Sequence, residues 1–138
     1  MNWLAWSLLS AVFAAATAVF AKIGVEGVEA NLATAIRTSV VVAFTWMLAL
    51  LTPVRLAAIS GKTWLFLALS GLATGLSWIC YFRALQIGPA SRVAPVDKLS
   101  VVLVILFAAV FLGEPLTWTK ALGGVLILLG VLAVASGS

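Results

Sequence analysis

Apolar positions in this chain do not alternate with polar ones. They run on in long blocks, and the polar residues gather in short breaks between them. A helix needs about 20 apolar residues to cross about 30 Å of hydrocarbon, and only helices or closed barrels satisfy their backbone there. Five blocks meet that length: residues 4–21, 32–51, 64–85, 95–112 and 116–135. The breaks read "EGVEAN", "TPVRLAAISGK", "IGPAS" and "GEP", which is turn chemistry. Each connection is short, so consecutive helices are antiparallel neighbours. The pattern predicts an all-α integral membrane protein of five transmembrane helices, a single domain over residues 1–138.

Composition agrees. Of the 138 residues 64% are hydrophobic and 9% are charged, whereas globular chains carry about 25% charged residues. The net charge of +4 is scattered between apolar runs, so no basic face for nucleic acid is expected. There is no histidine and one cysteine, Cys80. That leaves no internal disulfide and no Cys/His metal site, and no cofactor is expected. The N-terminal stretch lacks a Lys or Arg ahead of its apolar core, and that core exceeds a signal h-region. It reads as a retained transmembrane helix.

With alternating crossings, Arg55, Lys62 and Lys120 fall on the membrane side of the N-terminus. Lys22, Arg37, Arg83, Arg92 and Lys98 fall on the other. Several of the second group lie inside helix ends, and without them the sides nearly balance. Either the orientation is dual, or short loops carry too few charges to decide it. Gly71 and Gly75, the Ser10, Ala14, Ala18 series, and Gly123, Gly130 and Gly137 form small-residue stripes. Such stripes let helix backbones approach, within one subunit or between subunits.

Ionisable groups near hydrocarbon are costly and are functional candidates by default. Arg37, Arg83, Arg92, Asp97 and Lys98 all reach the second side, where they are expected to converge on one vestibule. Long basic side chains can instead snorkel to the interface; Asp97 is too short to do so. If Pro95 opens the fourth helix, Asp97 lies in its first turn and complements the helix dipole. The alternative is a switching role. Trp78 and Tyr81 are three apart on one helix face, a stacking wall for an organic substrate or a cation–π partner. Interfacial anchoring is the other reading, and it suits Tyr81 better than the deeper Trp78. The sequence has no nucleophile–base pair, phosphate loop or metal cluster, so an enzyme is not expected.

"YFRALQIGPASRVAPVDKLSVVL", followed by "FLGEPLTWTKALGGVLILLGVLAV", resembles the EamA-type module of the drug/metabolite transporter superfamily, and "AKIGVEGVEANLATAIRTSVV" resembles its early segment. The resemblance implies the half-length, five-span group, pairing as an antiparallel ten-helix homodimer. It implies a structural turn role for Glu114 and Pro115, and a path-lining helix carrying Trp78 and Tyr81. It does not define a role for Asp97 and Lys98. The first span has no carboxylate, which separates this chain from the small multidrug exporters.

The expected function is secondary transport of small organic metabolites, with an anionic or zwitterionic group favoured, by alternating access in a homodimer. The alternative is a non-transporting subunit that assembles with another membrane protein or a lipid carrier. Expected substrate-binding or gating residues are Arg37, Trp78, Tyr81, Arg83, Asp97 and Lys98; expected helix-packing residues are Gly71, Gly75, Gly123 and Gly130. Expected partners are membrane lipid, a second copy and a small-molecule substrate, and the expected location is the inner (plasma) membrane.

Overall fold

The computed structural model of the chain describes residues 2–53 and 59–137. Arg55, assigned above to the N-terminal side, lies outside the described residues. Among these residues there is no strand. Five helical stretches are long and apolar enough to cross a membrane: Trp3–Gly24, Ala30–Leu50, Gly61–Ile87, Ala90–Phe111 and Trp118–Ser136. The fourth is interrupted, giving α1 (Trp3–Gly24), α2 (Ala30–Leu50), α3 (Gly61–Ile87), α4 (Ala90–Asp97), α5 (Ser100–Phe111) and α6 (Trp118–Ser136). The chain divides into two compact units, residues 1–87 and 88–138.

Local chemistry sets the helix ends of the first unit. The Asn2 side chain accepts from the Ala5 N–H at 3.0 Å and opens α1. The Glu29 carboxylate accepts from Asn31 and Leu32 N–H at 2.9 and 3.1 Å and opens α2. The Ser60 hydroxyl accepts from Thr63 N–H at 3.2 Å ahead of α3. α3 stops at Ile87, before Gly88 and Pro89, because proline disfavours a helical residue in front of it.

α1 and α2 both pack on α3. Their buried side chains gather at the end where the α1–α2 turn meets the end of α3: Val25, Ala30, Thr34, Phe82 and Leu85. Hydroxyls within the helices turn inward on their own backbone. Ser7, Thr34, Thr38, Ser39, Thr45 and Thr74 each donate to the carbonyl four residues back. This satisfies them where no water is available. No buried side-chain polar atom among the described residues lacks a partner.

In the second unit α6 packs against both α4 and α5. Gly124 makes the close approach: a Cβ built there would lie 3.9 Å from Ile105 Cδ1 and 4.0 Å from Val102 Cγ1. The α5–α6 turn has Gly113 in the left-handed region at φ 67°, and Leu112 and Glu114 N–H both return to the Ala108 carbonyl. Lys120 reaches back to Glu114 at 3.1 Å across the turn, and Thr117 accepts from Lys120 N–H to open α6. The "GEP" break therefore ends one helix and starts the next, although α6 begins at Trp118 and not at 116.

The start of the fourth span differs from the sequence reading. Pro89 is the N-cap, α4 begins at Ala90, and Pro95 lies inside it. Asp97 is thus the last residue of α4, not a member of a first turn. Pro95 has no N–H to donate to the previous turn, and the backbone tightens after it. Lys98, Leu99, Val101 and Val102 N–H all bond three residues back, to Pro95, Val96, Lys98 and Leu99. That run of 3₁₀ geometry follows Pro95 and separates α4 from α5. Replacing Pro95 with Ala restores the missing donor. Amide hydrogen exchange in Pro95→Ala is therefore expected to slow at residues 98–102; unchanged exchange there would assign the tightened turn to another cause.

Candidate functional site

α3 places Trp78, Phe82 and Leu85 at positions i, i+4 and i+7, one helical face. α2 lies against it and carries Arg37 seven residues past Ala30, about 10 Å along the axis at 1.5 Å per residue. The Arg37 guanidinium carbon sits 4.0 Å from the centroid of the Trp78 ring and 5.4 Å from that of Phe82. Tyr81, three residues past Trp78 on α3, has its ring centroid 6.4 Å from that of Phe82. Among the described residues no carboxylate forms an ion pair with Arg37; the ion pairs there are Lys98–Asp97 and Lys120–Glu114.

The magnitudes explain this placement only in part. An arginine at the centre of a membrane helix costs about 2.5–3.5 kcal/mol on insertion scales. A desolvated cation–π contact returns about 2 kcal/mol. The aromatic faces offset much of the cost and leave the cation able to gain from an anion.

Beside Arg37 a groove of about 470 Å³ opens between α1 and α2, with Phe82 at its base. Thr17 and Phe20 line it from α1, and Ile36, Arg37 and Val40 from α2; among the described residues Arg37 is the one charged residue in its lining. A second recess of about 570 Å³, at the α1–α2 turn, is polar and has mixed charge from Lys22, Glu26, Glu29 and Arg83. There Lys22 Nζ donates to the Leu85 carbonyl and Gln86 Nε2 to the Val28 carbonyl. Both bonds tie the α1–α2 turn to the end of α3. A cation on carbonyls near a helix C-terminus also complements the dipole.

Within each unit the expected residues make their own contacts. Arg37 and Trp78 meet, with Tyr81 nearby. Arg83 does not join them; it is exposed on another face of α3 and donates to Gln86 at 3.2 Å. Asp97 and Lys98 pair with each other at 3.3 Å at the end of α4, with side chains 35% and 56% exposed, so this is a weak surface pair. Within their own units nothing lies within 4 Å of a Cβ built on Gly71, Gly75, Gly123 or Gly130. Phe82 and Gln86 were not anticipated. The i+4 spacing from Trp78 could have flagged Phe82, whereas nothing in the sequence distinguishes Gln86 as a tie to the first turn.

Five membrane-spanning stretches make this a multi-pass membrane protein, and a cation held against an aromatic ring within a span suits a protein that handles solutes. The chain belongs to the EamA-like transporter family, whose model matches residues 1–136. It is 52% identical over 136 residues to a protein of Sinorhizobium sp. described as "Uncharacterized transporter in cobO 3'region", covering 97% of this chain and 96% of that one. No solved structure matches it.

A double-mutant cycle with Arg37→Gln and Trp78→Leu tests the contact. Unfolding in mixed micelles is expected to give a coupling of about 1–2 kcal/mol. Additive effects would show that the stack contributes nothing.

Proposed function

We propose that two copies of this chain form a secondary transporter in the inner (plasma) membrane. It moves small organic metabolites bearing an anionic or zwitterionic group by alternating access. One observation carries the reading: a guanidinium held over Trp78 inside a span, beside an open apolar groove and without an acidic partner among the described residues. Membership of a transporter family supports it, as does a relative whose name is that of a transporter.

Arg37 binds the anionic group of the substrate, and Trp78 and Tyr81 form the wall against which its organic part stacks. Arg83 acts at the polar recess near the α1–α2 turn. Asp97 and Lys98 lie in the tightened backbone after Pro95 and take part in gating as that turn flexes. The second copy packs on the small-residue faces, Gly71 and Gly75 on α3 and Gly123 and Gly130 on α6, which no neighbour of their own unit approaches. Five spans with nearly balanced loop charges suit an inverted pair, the arrangement that commonly underlies alternating access.

Solute flux into proteoliposomes tests these roles together. Arg37→Gln is expected to raise KM about tenfold or more, the loss of one charge-assisted contact. Asp97→Asn is expected to slow turnover at nearly unchanged KM. Unchanged turnover in Asp97→Asn would sink the gating role, and Arg37-independent flux would sink the binding role. Light scattering should count two chains per particle; a transporting monomer would contradict the pairing.

A further inference from the structure

The groove between α1 and α2 narrows the class of substrate. Among the described residues its lining offers one cation, Arg37, one hydroxyl, Thr17, and otherwise apolar side chains. Among the described residues no carboxylate lines it, so a substrate ammonium lodged there would be desolvated without a charged partner. We infer that this groove binds a free apolar monoanion, a single carboxylate-type group on an aliphatic or aromatic body with no ammonium, and does not bind a zwitterion. The inference rests on the transporter reading above and selects between the two substrate classes that reading leaves open.

Three observations support the assignment. The volume of about 470 Å³ falls within the range of about 300–1,000 Å³ typical of small-molecule sites. The guanidinium is already held in place, its Cζ 4.0 Å from the Trp78 ring centroid, and a planar fork matches a carboxylate in two parallel hydrogen bonds. Arg37 also lies about 10 Å along α2 from its first residue. A lipid phosphate stays at the interface, whereas a small free carboxylate can descend to that depth with its apolar body against Phe20, Ile36, Val40 and Phe82. The mixed-charge recess at the α1–α2 turn has two carboxylates, so the lack of an acid in the groove is a local property and not one of the whole unit.

Hexanoate, 2-aminohexanoate (norleucine) and hexylamine share one carbon chain and differ only in charged groups, which makes them matched probes. Equilibrium dialysis of labelled hexanoate against the purified protein in an uncharged detergent should show saturable binding. Norleucine and hexylamine should compete at least about tenfold more weakly, because neither forms the unopposed carboxylate–guanidinium pair. Arg37→Gln should weaken hexanoate about tenfold or more, while Arg37→Lys, which keeps the cation but loses the planar fork, should fall between wild type and Arg37→Gln. Gel filtration and circular dichroism matching wild type confirm that either variant is folded. Equal competition by norleucine, no binding of hexanoate, or unchanged binding in Arg37→Gln would overturn the assignment. So would displacement by phosphatidylglycerol at lower concentrations than hexanoate itself requires, which would give the groove to lipid. The two readings fail separately. Norleucine flux with an Arg37-independent KM sinks the monoanion site and leaves transport standing; hexanoate binding without flux of any probe sinks transport and leaves the site.

Discussion

A cation inside a membrane span has to be stabilised by something within reach, and in the first unit that something is an aromatic face. Arg37 on α2 lies over Trp78 and beside Phe82 on α3. The contact links two spans through the costliest side chain either carries. It also fixes the guanidinium beside an open groove, so the same interaction serves packing and recognition. An acidic partner would have neutralised the site more fully and left less to attract a substrate.

The rest of the first unit holds that pair in register. Lys22 and Gln86 bridge the α1–α2 turn and the end of α3 through main-chain carbonyls, and Leu85, between the stacked aromatics and that end, is fully buried. Helix association in lipid depends on such packing and hydrogen bonding, because hydrocarbon supplies no hydrophobic drive between helices. Hydroxyls satisfied by their own helix leave few polar groups to compete for Arg37. In the second unit a different device operates. Pro95 removes one donor and the following residues tighten, so the fourth span is broken into two helices by a 3₁₀ turn.

Much of the fold was legible because hydrocarbon thickness imposes its length on the sequence. Blocks of 18 to 22 apolar residues had few other interpretations, and the turn residues located the breaks. Boundaries were harder. Pro95 looked like a helix start because proline suits the first position, yet Pro89 had already taken the N-cap. Among the candidate residues Arg37 was marked by its cost and Trp78 by its depth, and the structure brings these two side chains into contact. Arg83 was drawn to the same cluster by membrane side alone, although its place on α3 points it elsewhere. The pattern of side chains within one helix carried information that the pattern of loops did not. The glycine stripes were conspicuous, but among the described residues the glycine whose added Cβ would meet another helix of its own unit is Gly124, which belongs to none of them. Spacing alone does not say which partner a stripe faces.

The central claim, a guanidinium stacked on Trp78 within the membrane, can be observed directly. Arginine side chains labelled with ¹⁵N in micelles report ring currents at their Nε–H protons, and the Arg37→Gln variant assigns the Arg37 signal by its loss. The Arg37 proton should resonate upfield of the other arginines and move back toward them in Trp78→Leu. An Arg37 signal that coincides with the rest and ignores Trp78 would contradict the account.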